Sequence, residues 1–182
     1  DVTANMRTIR DLPQQLAGDR LPDVLEVRGE VYMRRDEFDE LNTSRLEAGL
    51  PTFANPRNTT SGALRQLDPA TSAARPLRVM CYGIGLVQGE MPFEHAPVLR
   101  RLHSFGLPVA EGVVECSSLE EIEAAIESWA ERRDQLAYDI DGVVIKVNDM
   151  RLYDEIGAVA REPRWATAYK FPASQGITRV ID

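Results

Sequence analysis

Apolar and polar residues alternate along four stretches of the chain, which predicts β-strands. In "VLEVRGEVYM", Leu25 and Val27 share one face, and Val31 and Met33 continue that face after Gly29. "LRVMCYGIGLV", "DGVVIKVND" and "ATAYKFP" are also predicted strands, and the glycines in the first of them allow close backbone approach or a bulge.

Helical spacing of apolar residues predicts the helices. A short helix is expected in "DVTANMRTIRDLP", ending before Pro13. In "RRDEFDELNTSRLEAG", Asp36 is the predicted N-cap and Gly49 the stop. "EHAPVLRRLHSFG" has the pattern of an amphipathic helix.

The strongest helix pattern runs from Ser118 to Arg133, because Ser118 and Glu121 match a capping box. A short helix near Tyr153 separates the last two predicted strands. Strands and helices do not alternate regularly, which argues against a doubly wound parallel sheet. The fold class predicted is α+β.

Residues 53–68, "FANPRNTTSGALRQLD", hold two arginines, Arg57 and Arg65, eight positions apart. The surrounding residues are mostly small or polar and can bury little. We expect a loop here, with one helical turn over residues 61–67. The pattern alone does not explain the two guanidinium groups.

The chain has 182 residues, enough for one domain with its own core, and 43% of them are hydrophobic. No stretch has the length of a membrane span, and no basic-then-apolar leader opens the sequence. Cys81 and Cys116 are expected to be buried free thiols, which fits a reducing compartment. His95 and His103 have no acidic or cysteine partner nearby, so we expect both at the surface and predict no metal site.

The formal charge is −8, but it is unevenly distributed. Residues 111–141 hold ten acidic and two basic residues, so that this segment alone accounts for −8. The remainder has 19 acidic and 19 basic residues and is neutral. A neutral body can still present a basic face to phosphates, so the net charge does not exclude nucleic acid.

Of the 21 basic residues other than histidine, 19 are arginines and only Lys146 and Lys170 are lysines. Both lysines fall in predicted strands, where a side chain points to one definite face. An ammonium group is a compact charge that can approach a phosphate closely. Their placement suggests a function, although codon bias is an alternative explanation for the skew.

Two acidic motifs allow more than one interpretation. Glu30, on the polar face of a predicted strand, is either a solvated acid, a group that accepts ribose hydroxyls, or a neighbour of a metal. Asp139 and Asp141 precede a strand in "YDIDGVVIKVN", where Asp-Gly is also a strong turn signal. Lys146 in that strand needs a polar partner if it is buried.

Four motifs, in the order "EVRGEVYM", "FANPRNTTSGALRQLDP", "IDGVVIKVND" and "WATAYKFP", resemble the adenylation domain of the bacterial NAD-dependent DNA ligases. The resemblance extends from "DVTANMRTIRDLP" to "ITRVID". It implies a nucleotidyltransferase fold, with antiparallel sheets and flanking helices around a nucleotide cleft. It also implies a magnesium-dependent activity that seals nicks in duplex DNA, in a monomeric cytoplasmic protein.

In this family a lysine attacks the α-phosphate of NAD, AMP passes to the 5′-phosphate at the nick, and the 3′-hydroxyl displaces it. By resemblance, Glu30 would hold the adenosine ribose. Lys146 and Lys170 would lie at the α-phosphate, where charge develops in each transfer. Asp141 would lie beside them, near the metal or orienting Lys146.

The resemblance also implies roles for three arginines. Arg133 would approach the cleft or the DNA phosphate. Arg57 and Arg65 would bind phosphates of the nicotinamide nucleotide or of the nicked strand, with small residues around them that allow close approach.

One departure limits the resemblance. The nucleophile of the family lies in a lysine-x-aspartate-glycine motif, and neither lysine of this chain is in one. We therefore expect residues 1–182 to be part of an adenylation domain, beginning after that motif and ending at the entry to an OB-fold. The segment that binds nicotinamide mononucleotide, the zinc finger, the helix-hairpin-helix region and the BRCT domain would also lie outside. A non-catalytic nucleotide- or DNA-binding module, and an ATP-dependent ligase or capping relative, are the alternatives; "NPRNTTSGALRQLDP" favours the NAD family over the latter.

Overall fold

The computed structural model describes residues 1–160 and 162–172. These residues form a mixed α+β structure with three two-stranded antiparallel sheets, which confirms the predicted class. β1 pairs with β2, β3 with β6, and β4 with β5. The strands are β1 Val24–Tyr32, β2 Arg78–Gln88, β3 Gly142–Lys146, β4 Ala158–Val159, β5 Glu162–Pro163 and β6 Ala166–Lys170.

Short helices connect and flank the strands. No helix in the described part of the chain is long and apolar enough to cross a membrane. Two 3-10 helices cover Arg133–Gln135 and Met150–Leu152. The α-helices are α1 Thr3–Met6, α2 Arg35–Glu47, α3 Pro56–Leu64, α4 Pro69–Ala73, α5 His95–Ser104, α6 Leu119–Arg132 and α7 Tyr153–Ile156.

The β1–β2 sheet buries one face and exposes the other, as the alternating pattern predicts. At one end of the buried face, Val79 belongs to an apolar cluster that includes Phe38 of α2 and Ala63 of α3. At the other end, Cys81 packs with residues of α5, among them the fully buried Leu102. The acidic and basic side chains of β1 lie on the exposed face, Glu30 among them.

A β-bulge interrupts this sheet at Tyr82. Arg28 pairs with Gly83 and Gly29 pairs with Cys81, so Tyr82 is an extra residue without a partner in the ladder. Bulges change the direction of a side chain and release a backbone group from the regular pairing. The carbonyl of Tyr82 is therefore available to another part of the molecule.

Residues 53–68 are more helical than expected. The predicted loop is wrong, because α3 begins at Pro56 and α4 follows shortly after it. The Asn55 side chain accepts a hydrogen bond from the Asn58 N–H, and Pro56 occupies the first helical position, which favours a helix start. Thr59 and Thr60 are buried, so packing stabilises a segment whose composition is poor in helix formers.

Other helix limits agree with the sequence, with two corrections. Ser118 caps α6 by accepting from the Glu121 N–H, and Glu121 accepts from the Ser117 N–H. In a standard capping box Glu121 would accept from the N–H of the N-cap residue Ser118; here it accepts from the N–H of the residue before it. Asp36 is not the N-cap of α2, since the helix begins one residue before it and Arg34 takes that position.

The β3–β6 sheet carries both lysines. Lys146 pairs with Ala166 at one end, and Lys170 pairs with Gly142 at the other. Gly142 is required there, because a Cβ would overlap the Tyr169 carbonyl of the neighbouring strand.

Candidate phosphate-binding site

Lys146 and Lys170 lie on the same face of the β3–β6 sheet. Residues directly opposite in an antiparallel pair share a face, as do residues two and four apart on one strand. Gly142, Val144 and Lys146 therefore share the face of Lys170, with the two lysines about 13 Å apart along the strands. Between them Val144 is 61% exposed, so this face is open.

Lys146 reaches across to the β1–β2 sheet. Its Nζ donates a hydrogen bond to the Tyr82 carbonyl at 3.0 Å and lies 5.1 Å from the centre of the Tyr82 ring. The acceptor is the carbonyl that the bulge releases from the ladder. Burial lowers the pKa of Lys146. The sequence prediction that a buried lysine in this strand needs a polar partner is confirmed.

His95, the first residue of α5, is the second neighbour of this ammonium. Its Nε2 lies 3.3 Å from Lys146 Nζ. Burial, and then the charge of Lys146, lower the pKa of His95 from 6.5 to about 4, although the Tyr82 carbonyl partly opposes them. His95 is therefore half-buried and neutral, and the expectation of a surface position is wrong for it. His103 is exposed, as expected.

Backbone contacts connect the start of α5 to the end of β3. The Asn148 carbonyl accepts from the His95 N–H at 2.8 Å, and the Asn148 side chain accepts from the Ala96 N–H at 3.0 Å. Asn148 follows Lys146 by two residues. The segment that carries the lysine thus caps the helix that carries the histidine, which holds the two side chains together.

Lys170 has a different environment. Its Nζ lies 2.7 Å from Asp141 Oδ2, and the two side chains are 64% and 71% exposed. The hydrogen bond from Lys170 is the largest of the effects that lower the pKa of Asp141. The Phe171 N–H donates to the Asp141 carbonyl at 2.9 Å and extends the pairing beyond the strands. Asp141 therefore lies beside Lys170, one of the two lysines it was expected to accompany, and its predicted role in orienting Lys146 stays a prediction.

The two lysines differ in how their charge is compensated. Asp141 neutralises Lys170, whereas no carboxylate among the described residues lies within ion-pair distance of Lys146. The two groups that contact the Lys146 ammonium carry no charge: the Tyr82 carbonyl, which accepts a hydrogen bond, and the neutral His95 imidazole. They satisfy its N–H groups without reducing its charge, so an approaching anion meets a full positive charge at low solvation.

Arg133 lies just after α6 and points toward the end of β6. Its Nη1 donates to the Pro172 carbonyl at 3.2 Å, two residues beyond Lys170. Its backbone is held in turn by Arg35 of α2, which donates to the Arg133 carbonyl at 3.3 Å and to Asp139 Oδ1 at 2.6 Å. The structure thereby places Arg133 near the Lys170–Asp141 pair.

The two arginines of residues 53–68 occupy opposite ends of α3. Arg57, in the first turn, is close enough to Asp141 to contribute to lowering the pKa of that carboxyl group. Arg65 follows the last residue of the helix and donates to the Ser61 carbonyl at 3.2 Å. Arg57 thus lies near Asp141. Arg65 is exposed, and within residues 1–160 and 162–172 none of its hydrogen-bond partners belongs to the group around Asp141.

Glu30 is exposed on β1, opposite Met80, and its side chain makes no hydrogen bond or ion pair with any residue in the described ranges. Its carboxylate is available to a ligand or to solvent. Within the same ranges, no group of three or more His, Cys, Asp or Glu residues is arranged to hold a metal ion.

Two cavities in the described part of the chain lie away from the lysines. One of about 300 Å³ lies between α5 and residues 109–115, and its lining includes Leu99, Arg100 and Glu115. Another of about 200 Å³ lies beside α3 and α4. Lys170 is exposed and Lys146 half-buried, and neither lines these two cavities, so geometry and charge define the candidate site.

Comparison with known proteins identifies the family. The family described as "NAD-dependent DNA ligase adenylation domain" matches residues 1–174. The chain belongs to this family. The fold class and the two lysines on one open sheet face are consistent with that membership.

Individual relatives are DNA ligases of considerably greater length. The chain is 49% identical over 180 residues to a DNA ligase of Trichlorobacter lovleyi, covering 99% of this chain and 26% of the relative. It is 48% identical over 182 residues to a DNA ligase of Pseudomonas putida, covering 100% of this chain and 24% of the relative. It is 52% identical over 186 residues to a DNA ligase of Thermomicrobium roseum, covering 100% of this chain and 27% of the relative. The chain thus spans about a quarter of the length of these relatives.

Proposed function

We propose that this chain acts as part of an NAD-dependent DNA ligase that seals nicks in duplex DNA through lysine–adenylate and DNA–adenylate intermediates. The observation that carries the proposal is Lys146: a half-buried ammonium held by neutral acceptors, in a chain of the NAD-dependent ligase adenylation family. Such a group suits a phosphoryl transfer, in which negative charge develops at the α-phosphate.

Each remaining residue has a proposed role. Lys146 and Lys170 stabilise the α-phosphate, and Asp141 holds Lys170. Glu30 accepts hydrogen bonds from the adenosine ribose. The roles proposed for Arg57, Arg65 and Arg133 are contacts with phosphates of the nucleotide or of the nicked strand, where guanidinium groups bind in a bidentate way.

The described residues offer cations for the phosphates of NAD, but they offer no set of side chains that would hold a metal ion without substrate. A pyrophosphate needs cations on an accessible surface, which the open β3–β6 face provides. Magnesium, when bound, would neutralise phosphate charge, and Asp141, which contacts Lys170, is the carboxylate that we propose near it. Because Mg²⁺ is commonly held through substrate phosphates and few carboxylates, the absence of a three-ligand group in the described ranges does not conflict with this role.

The nucleophile of the proposed reaction is a lysine of a lysine-x-aspartate-glycine motif, which neither Lys146 nor Lys170 provides. We therefore propose that these two lysines stabilise charge and do not become adenylated. The monomeric state, the cytoplasmic location and the position of this chain within a longer ligase remain predictions. The non-catalytic module and the ATP-dependent relative are distinguished by experiment.

The test uses the full-length protein that contains this chain, incubated with Mg²⁺ and either NAD or ATP. We expect release of nicotinamide mononucleotide, a mass increase of one AMP outside Lys146 and Lys170, and sealing of a nicked duplex, with NAD alone. Adenylation by ATP would favour the ATP-dependent relative, and nucleotide binding without adenylation would favour a non-catalytic module. Residues 1–182 alone should gain no AMP; a stable adduct on either lysine would overturn the proposed roles.

A further inference from the structure

The position of the Lys146 ammonium depends on residues far from it in sequence. Tyr82 and His95 are 64 and 51 positions away, and each contacts Nζ directly. An ammonium has three N–H donors. If Tyr82 and His95 accept one each, a single N–H remains for a bound anion, and the group keeps its positive charge because neither acceptor is charged.

We propose that His95 is a positioning residue for Lys146: its neutral imidazole accepts a hydrogen bond from Nζ at Nε2 and thereby directs the remaining N–H toward the bound anion. This inference rests on the proposed function, because the anion is the α-phosphate of the nucleotide. His95 itself does not touch the reacting atoms. Its role is to fix a flexible four-carbon side chain in one position.

The hydrogen-bond chemistry determines the tautomer. A charged ammonium has no lone pair to offer, so the proposed hydrogen bond requires Nε2 as the acceptor and places the imidazole proton on Nδ1. A protonated imidazole would instead place two cations 3.3 Å apart. The low pKa of His95 is consistent with the neutral form at physiological pH.

The surrounding contacts favour a built arrangement over a chance one. The Tyr82 carbonyl, which accepts from Lys146 Nζ, belongs to the residue that the β-bulge leaves without a partner in the ladder. Asn148 fixes the start of α5 against the end of β3. Two separate features of the backbone thus converge on the contact between His95 and Lys146.

Substitutions at His95 test the proposal in the full-length protein. His95→Leu removes the acceptor, whereas His95→Gln retains one. His103→Leu, at an exposed position of the same helix, is the matched control. We expect single-turnover adenylation by NAD to slow about tenfold or more in His95→Leu, to recover largely in His95→Gln and to stay unchanged in His103→Leu.

A second measurement does not need NAD. The pH dependence of amine labelling at Lys146, followed by mass spectrometry, reports the pKa of this group directly. Loss of the acceptor destabilises the charged form, so His95→Leu should move the labelling midpoint to lower pH, and His95→Gln should restore it. A merely structural role would alter the melting temperature without this restoration.

The outcomes separate this inference from the proposed function. Wild-type rates and an unchanged labelling midpoint in His95→Leu would overturn the positioning role, as would equal losses in His95→Leu and His95→Gln. If the wild-type protein forms no adenylate, the proposed function is wrong, and so is the claim that His95 directs Lys146 toward the α-phosphate. The labelling experiment then still shows whether His95 holds Lys146.

Discussion

Lys170 Nζ and Asp141 Oδ2 form an ion pair of 2.7 Å on the open face of the β3–β6 sheet. Both side chains are largely exposed, so the pair contributes little to folding, about 0–1 kcal/mol. Its value lies in orientation, since it holds the Lys170 ammonium at the end of β6. The two lysines are therefore positioned by different contacts: Lys170 by Asp141, and Lys146 by Tyr82 and His95.

Replacing Asp141 separates orientation from stability. We expect Asp141→Asn to leave the midpoint of urea unfolding nearly unchanged and to slow adenylate transfer in the full-length protein, because Lys170 is no longer held. Asp36→Asn is the control, since it breaks the exposed Arg34–Asp36 pair at the start of α2, which contacts neither lysine. Equal transfer rates in Asp141→Asn and Asp36→Asn would contradict the role of Asp141.

The arginines of α3 should matter for sealing. Arg57→Ala and Arg65→Ala should each weaken nick sealing more than Arg100→Ala, by on the order of 1.5 to 3 kcal/mol for a lost charge-assisted contact. Arg57 should have the larger effect, because it lies near Asp141 whereas Arg65 contacts a carbonyl of its own helix. If the three variants seal at the rate of the unmodified protein, residues 53–68 are not a phosphate site.

Arg35 should act on the site through the segment that it holds. Its guanidinium contacts the Arg133 carbonyl, the Asp134 carbonyl and the Asp139 carboxylate, and Asp139 precedes Asp141 by two residues. We expect Arg35→Ala to lower the free energy of unfolding by about 1 kcal/mol and to reduce nick sealing. Lysine cannot make this fork of contacts, so Arg35→Lys should not restore sealing.

The control for Arg35 is its neighbour. Arg34 makes an ion pair within its own turn, with Asp36, and does not contact the 133–141 segment through that pair. Arg34→Ala should therefore leave sealing unchanged. A sealing defect in Arg34→Ala as large as that in Arg35→Ala would show that any charge loss at this helix end has the same effect.

The low pKa of His95 predicts a pH dependence of stability. The pKa is 6.5 for an unperturbed histidine and about 4 in the fold, so between these values the unfolded state binds more protons. The stabilising contribution of neutral His95 is thus fully present above pH 6.5 and is lost as the pH falls toward 4. Unfolding midpoints measured across this range should fall more steeply for the unmodified protein than for His95→Gln.

Identical slopes for the unmodified protein and His95→Gln would contradict the neutral, half-buried state of His95.

The sequence predicts the regular elements better than the contacts between them. Period-two alternation identifies β1 and β2, because one face of that sheet is buried and the other is exposed. α3 is missed, because Asn55 and Pro56 start a helix whose further residues are weak helix formers stabilised by burial. Asn55 and Pro56 are the signal in the sequence for this helix, but the weak helix formers that follow them favour a loop instead.

The candidate site shows the same division. The rarity of lysine and its placement in strands indicate Lys146 and Lys170, which the structure puts on one face. The sequence does not predict the contacts of Tyr82 and His95 with Lys146, because a β-bulge and a contact across 51 residues depend on tertiary packing. Arg35 is one of 19 arginines, and nothing in its local sequence distinguishes it from the others.

Single-turnover adenylation of the Lys146→Arg and Lys170→Arg proteins, with melting curves recorded in parallel, tests the central claim most directly. Arginine keeps the charge but moves and widens the head group. Both variants of the full-length protein should form adenylate more slowly while melting close to the unmodified protein, with the larger loss for Lys146, whose ammonium sits between Tyr82 and His95. Normal adenylation in both variants would contradict the claim that the two ammonium groups serve the α-phosphate, and a large fall in melting temperature would make them structural instead.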